Sequence, residues 1–243
     1  MIRATIAMML VLTTGTAGAS MVWTEQGDAG ELVGTHQTPT GTGSLDTIDG
    51  VLGNNTFGLV DVDVDVYCVY IATPGLFSAT VALAAGSPTM ASILQLWLFD
   101  SNGIGITSQE GFYLSTPTKI TGSFVNSAGK YYLAVSDHDI VPYTALSQTI
   151  WSVAPRSIET PPNGSGSGPL ASWSPFGFQN GTGQYSIELT GTGFCCQPLP
   201  EPGTLLLAAF ALAGLVGKSI ATARKPACAS RSRMVGRQGA NTT

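Results

Sequence analysis

The stretch LVDVDVDVYCVYI, residues 59–71, limits the fold more than any other part of the chain. Its apolar and acidic residues alternate. A β-strand sorts such a period of two onto opposite faces, whereas a helix scatters it around its circumference. Val62, Val64, Val66, Cys68 and Tyr70 share one face. Asp61, Asp63 and Asp65 share the other with Tyr67, Val69 and Ile71. One face is therefore expected in a core. The other is expected to meet solvent where the strand begins and to be buried from Tyr67 onward.

The surrounding sequence repeats the strand theme. Short apolar segments predict strands at 31–37, 44–52, 59–73, 77–84, 93–100, 103–108, 118–124, 130–136, 149–153 and 184–191, with no helical pattern between them. Glycine (30) and proline (14) punctuate a chain of 243 residues in which only 10% are charged. This combination predicts an all-β domain, an antiparallel β-sandwich or jelly roll, across residues 20–198. Asn102-Gly103 within FDSNGIG marks a hairpin turn, and PPNGSGSGP, residues 161–169, reads as a flexible loop.

Different chemistry flanks this body. Residues 1–19 carry Arg3, then an apolar run over 4–12, then Ala17-Gly18-Ala19. That order is a secretory signal peptide, with cleavage expected after Ala19. Residues 203–217 hold no charge and one polar side chain, Thr204. As a helix they span about 22 Å, and extension to Ala223 gives about 31 Å, matching a hydrocarbon core of about 30 Å. Lys218 can snorkel to the interface, so a transmembrane helix is expected over 203–223. From Ser20 to Glu201, fifteen acidic residues oppose three basic ones, Lys119, Lys130 and Arg156. Lys218, Arg224, Lys225, Arg231, Arg233 and Arg237 follow with no acid among them. This asymmetry places the body outside and the basic, unpatterned tail 226–243 in the cytoplasm. An acidic body repels phosphate, so nucleic acid is not an expected partner.

LPEPGTLLLAAFALAGLVG, followed by Arg224 and Lys225, resembles the PEP-CTERM sorting signal of exported Gram-negative proteins. The likeness covers about 199–225 and rests on Pro200-Glu201-Pro202, the apolar stretch and the basic pair. It departs in the eighteen residues that follow Lys225. The resemblance implies an inner-membrane intermediate, processing by an exosortase after signal peptidase, and delivery to the cell surface or extracellular matrix alongside exopolysaccharide. DVDVDVYCVYI, LQLWLFDSNGIGI and AGKYYLAVSDHD, in that order, resemble the bacterial pre-peptidase C-terminal domain over about 45–139. That likeness implies a small β-sandwich that binds surfaces or assists a neighbouring domain, sometimes with calcium. Cys68 stands where that pattern usually continues into a basic or polar residue.

The residues themselves offer three kinds of candidate site. Calcium takes oxygen ligands, so Asp61, Asp63 and Asp65 could join Asp137 and Asp139 if those strand ends meet. Alternate residues of one strand lie about 6.5–7 Å apart, which makes chelation by all three unaided difficult; a solvated acidic face is the competing reading. Cys228 falls beyond the apolar run, leaving Cys68, Cys195 and Cys196 outside. A disulfide from Cys68 to Cys195 or Cys196 would staple the sandwich, Cys195 being the expected partner; otherwise Cys68 is a small buried apolar side chain. No catalytic residue is expected. The histidines are His36 and His138, and no Gly-x-Ser-x-Gly, His-Glu-x-x-His or phosphate loop occurs. The expectation is a non-enzymatic surface or matrix protein. The alternative is a calcium-assisted carbohydrate-binding or adhesion module using Trp151, Trp173, Phe176 and Phe178.

Overall fold

Two kinds of strand sequence build two kinds of sheet. The computed structural model describes residues 20–53, 62–84, 93–111, 117–152, 158–175 and 183–196. The strands among them are β1 (Val22–Thr24), β2 (Thr47–Leu52), β3 (Val64–Ile71), β4 (Ser78–Leu83), β5 (Leu94–Asp100), β6 (Gly105–Glu110), β7 (Thr118–Thr121), β8 (Gly129–Asp137), β9 (Ile140–Thr144), β10 (Leu170–Pro175), β11 (Gly183–Thr190) and β12 (Thr192–Phe194). The described protein is all-β. One five-stranded sheet has the order β1-β2-β11-β4-β7 and the other β12-β3-β8-β5-β6, with β9 and β10 forming a separate ribbon. Each pairing is antiparallel except β1 with β2, which is parallel and so departs from the purely antiparallel expectation.

In the first sheet the alternation is one-sided. Tyr185, Ile187 and Leu189 of β11 point inward, while Gln184, Glu188 and Thr190 are exposed. The second sheet is buried on both faces. Leu94, Leu96 and Leu98 of β5 join the cluster shared by the two sheets. Trp97 and Phe99 turn to the opposite face, where β9, β10 and residues 150–151 cover them. An apolar sequence on both sides of a strand demands this second cover.

Several expected strands differ. Residues 31–37 form no strand; Gln37 makes one isolated bridge to Tyr67. The described part of 149–153 is irregular apart from a bridge between Thr149 and Tyr143. Residues 122–124 form a 3-10 turn rather than the end of a strand. The loop 161–169 is tied down, with Gly164 N–H donating to the Ile150 carbonyl at 3.0 Å and Gly166 N–H to Thr149 at 2.9 Å. A β-carbon on Gly164 would collide with the Thr149 backbone. Its glycine-rich composition serves close backbone approach here.

The chain divides into two units, Met1–Cys195 and Cys196–Thr243. No helix among the described residues is long and apolar enough to cross a membrane. The expected helix 203–223, the tail 226–243, the signal residues Ala17 and Ala19, and Pro200, Glu201, Pro202, Arg224 and Lys225 lie outside the described residues. So do Asp61, Phe176 and Phe178.

Candidate functional site

The alternating strand carries its polar surprise inward. Asp65 shares a face with Tyr67, Val69 and Ile71, and that face looks into the cluster between the sheets. Burial on both faces thus begins at Val64, before the expected Tyr67, and Asp65 is 0% exposed. The reason lies across the gap, where Tyr185 of β11 donates its hydroxyl to Asp65 Oδ2 at 2.6 Å. The Tyr67 and Tyr185 hydroxyls are also 2.6 Å apart. A buried carboxyl needs hydrogen bonds to offset lost hydration, and these two tyrosines supply part of that.

Two further carboxylates from an unexpected quarter crowd the same spot. Glu25 follows β1, and Asp28 follows the turn at Gly27. The segment is locked in place by Glu25 N–H donating to the Asp49 carbonyl (2.8 Å) and Val66 N–H donating to Gly30 (3.2 Å). Gln37 Nε2 donates to the carbonyls of Gln26 and Asp28, each at 2.9 Å. Carboxylate oxygens of Glu25, Asp28 and Asp65 thereby lie within 4.8 Å of one another. Val51 N–H donates to Glu25 Oε2 at 2.8 Å and Gly30 N–H to Asp28 Oδ1 at 3.1 Å. Asp65 Oδ1 and Glu25 Oε1 are buried with no hydrogen-bond partner.

The electrostatics follow. Burial first, opposed by the Tyr185 hydrogen bond and then reinforced by Glu25, Asp63 and Asp28, pushes the Asp65 carboxyl up to about 8. Burial also raises Glu25 above the ordinary carboxylate range, against the lowering effect of its backbone hydrogen bonds. A cavity of about 440 Å³ opens beside the cluster, reaching Glu25, Gly27, Asp49 and Tyr185.

The structure distributes the sequence-expected calcium ligands differently. Asp63 is half-buried and accepts a hydrogen bond from Gly53 N–H. Asp137, almost fully buried at the end of β8, accepts from His138 N–H at 2.8 Å and contacts its ring at 3.1 Å. Asp139 lies 3.8 Å from the other ring nitrogen. Hydrogen bonding to Asp137, partly opposed by burial, raises the His138 pKa. Of the expected ligands among the described residues, Asp65 alone belongs to the three-carboxylate group. Glu25 and Asp28 escaped notice because they sit about forty residues before Asp65, and only the docking of 25–37 along β3 unites them.

The cysteines resolve to one pairing. Cys68 of β3 and Cys195, just after β12, form a disulfide with Cα atoms 5.8 Å apart. Cys196 is exposed and outside that bond. Of the aromatics expected at a carbohydrate surface, the two among the described residues, Trp151 and Trp173, are interior. Trp151 is 0% and Trp173 9% exposed. Their rings stack edge-on against Trp97 at 5.2 and 5.8 Å. They bury the outer face of the second sheet, which explains their position without a ligand.

Fold and site define an all-β protein of two packed sheets, with a disulfide between two neighbouring strands of the second and an acidic cluster that runs from the interior to the surface. No family model, curated protein or solved structure matches the chain. Within the second sheet, the three segments that carry the likeness to the pre-peptidase domain lie side by side, as β3, β8 and β5 with its turn into β6.

Proposed function

We propose that this is an exported, non-enzymatic protein of the cell surface or extracellular matrix. Its β-sandwich body is released by signal peptidase after Ala19. A membrane-spanning address at 203–223, with Pro200-Glu201-Pro202 at its outer boundary, then sorts it through an exosortase. The Cys68–Cys195 bond carries the reading. It joins β3 to the residue that follows β12, the neighbouring edge strand of the same sheet, across 127 residues, and such bonds persist in oxidising compartments outside the cytosol. The acidic body and the all-basic end beyond Gly217 support the same topology.

Intact-mass measurement on protein recovered from exporting cells tests this reading. The expected species begins at Ser20 and ends near Pro200. A mass that runs on to Thr243 would remove the sorting step and leave a tail-anchored protein.

A further inference from the structure

We propose that removal of the signal peptide completes the fold: the ammonium group created at Ser20 pairs with the carboxylate of Asp46 and locks the edge strand β1 onto β2. The inference rests on the proposed cleavage after Ala19. Hydrolysis there breaks the Ala19–Ser20 amide with one water, leaving a carboxylate on Ala19 and a protonated amine on Ser20. The hydrogen bonds at the start of β1 show where that charge appears. Met21 N–H donates to Asp46 Oδ2 at 2.9 Å. The Met21 carbonyl accepts from the Asp46 and Thr47 N–H groups at 3.0 and 3.2 Å. Asp46 thus holds both ends of Met21, the residue next to Ser20. Consecutive residues lie ~3.8 Å apart, so the Ser20 nitrogen is one residue's length from the nitrogen that Asp46 already binds. Opposite charges favour one another over about 4–6 Å.

β1 is the strand that such a lock would serve. It has three residues, lies at a sheet edge and pairs with β2 alone. That pairing is parallel, the slightly weaker kind. Val22 is 56% exposed, and Trp23 gains an edge-on contact with Tyr67 at 5.8 Å. The surrounding charges favour a cation. Asp46 makes no ion pair among the described residues. Asp49 faces Thr24 across the β1–β2 pair, and Glu188 of β11 faces Thr47 on the other side of β2. Lys119 lies on β7, at the opposite edge of this sheet. Before cleavage the Ser20 nitrogen is a neutral amide, so only the processed chain can form the pair.

The test uses mature protein recovered from exporting cells. Mild periodate converts the amino alcohol of an N-terminal serine into a neutral glyoxylyl group and spares lysine amines, so it removes this one charge. Urea unfolding before and after treatment should show the folding equilibrium constant fall about 2- to 5-fold, and high salt should shrink that loss. Asp46→Asn keeps an oxygen for Met21 N–H but carries no charge, so periodate should leave its stability unchanged. No loss in the native sequence, a loss indifferent to salt, or an equal loss in Asp46→Asn overturns the lock and leaves the cleavage reading standing. N-terminal sequencing that finds a first residue other than Ser20 overturns both together.

Discussion

Asp65 is where the alternation of residues 59–71 and the packing of the two sheets disagree. As one of three aspartates on a strand face it reads as solvated, yet it lies between the sheets under Tyr185. Its consequence is pH dependence. The folded carboxyl titrates at about 8 against an ordinary 3.8, so between these values the native state holds a proton that the unfolded chain releases. Stability from this group is fully present below about 4 and is lost as pH rises toward 8. Glu25 and His138, both raised, act in the same direction. Urea unfolding in EDTA should therefore give a chain less stable at pH 8 than at pH 5, by on the order of 3 kcal/mol. Asp65→Asn keeps the shape without the charge. It should flatten that dependence and exceed the native chain in stability at pH 8. A native stability that is level or rising from pH 5 to 8 contradicts the assignment. Little of this was legible beforehand. Spacing sorts residues onto faces, but whether a face meets water or a second sheet depends on partners such as Tyr185, distant in sequence.

At the scale of elements, legibility tracked length and composition. The long alternating or wholly apolar strands β3, β5, β8 and β11 fall within or beside their expected ranges. Those missed were β1 and β12, three residues each, too short to show a period, and β9 and β10, which contain Pro142 and Pro175. Proline forfeits a ladder donor and argues against a strand. Here it is tolerated because β9 and β10 pair only with one another in their sheet. The turn from β11 to β12 is sharper still. At Gly191 the chain leaves one sheet and enters the other with φ +69, and a β-carbon would press on the backbone of Leu76 and Phe77. Left-handed backbone and lack of space both favour glycine. Gly191→Ala should cost about 1–3 kcal/mol by urea unfolding. A change below a few tenths would mean that the corner rearranges freely.

Among the described residues the two sheets are tied together at two places. At one, Glu159 accepts hydrogen bonds from Thr107 Oγ1 at 3.1 Å and from Thr121 N–H and Oγ1 at 2.9 and 2.6 Å, joining β6 of one sheet to β7 of the other. At the other, β12 crosses over and Cys195 bonds to Cys68. A cross-link that closes so long a loop contributes about 2–4 kcal/mol, and it forms only where thiols are oxidised. Export and the anchoring of the edge strand β12 on β3 therefore stand together on one bond. The most direct measurement is a non-reducing peptide map of protein recovered from exporting cells, beside chain lacking residues 1–19 and retained in the cytosol. A peptide pair linking Cys68 to Cys195 is expected in the exported protein and absent from the retained chain. Recovery of both cysteines as alkylated thiols in the exported protein would contradict the account.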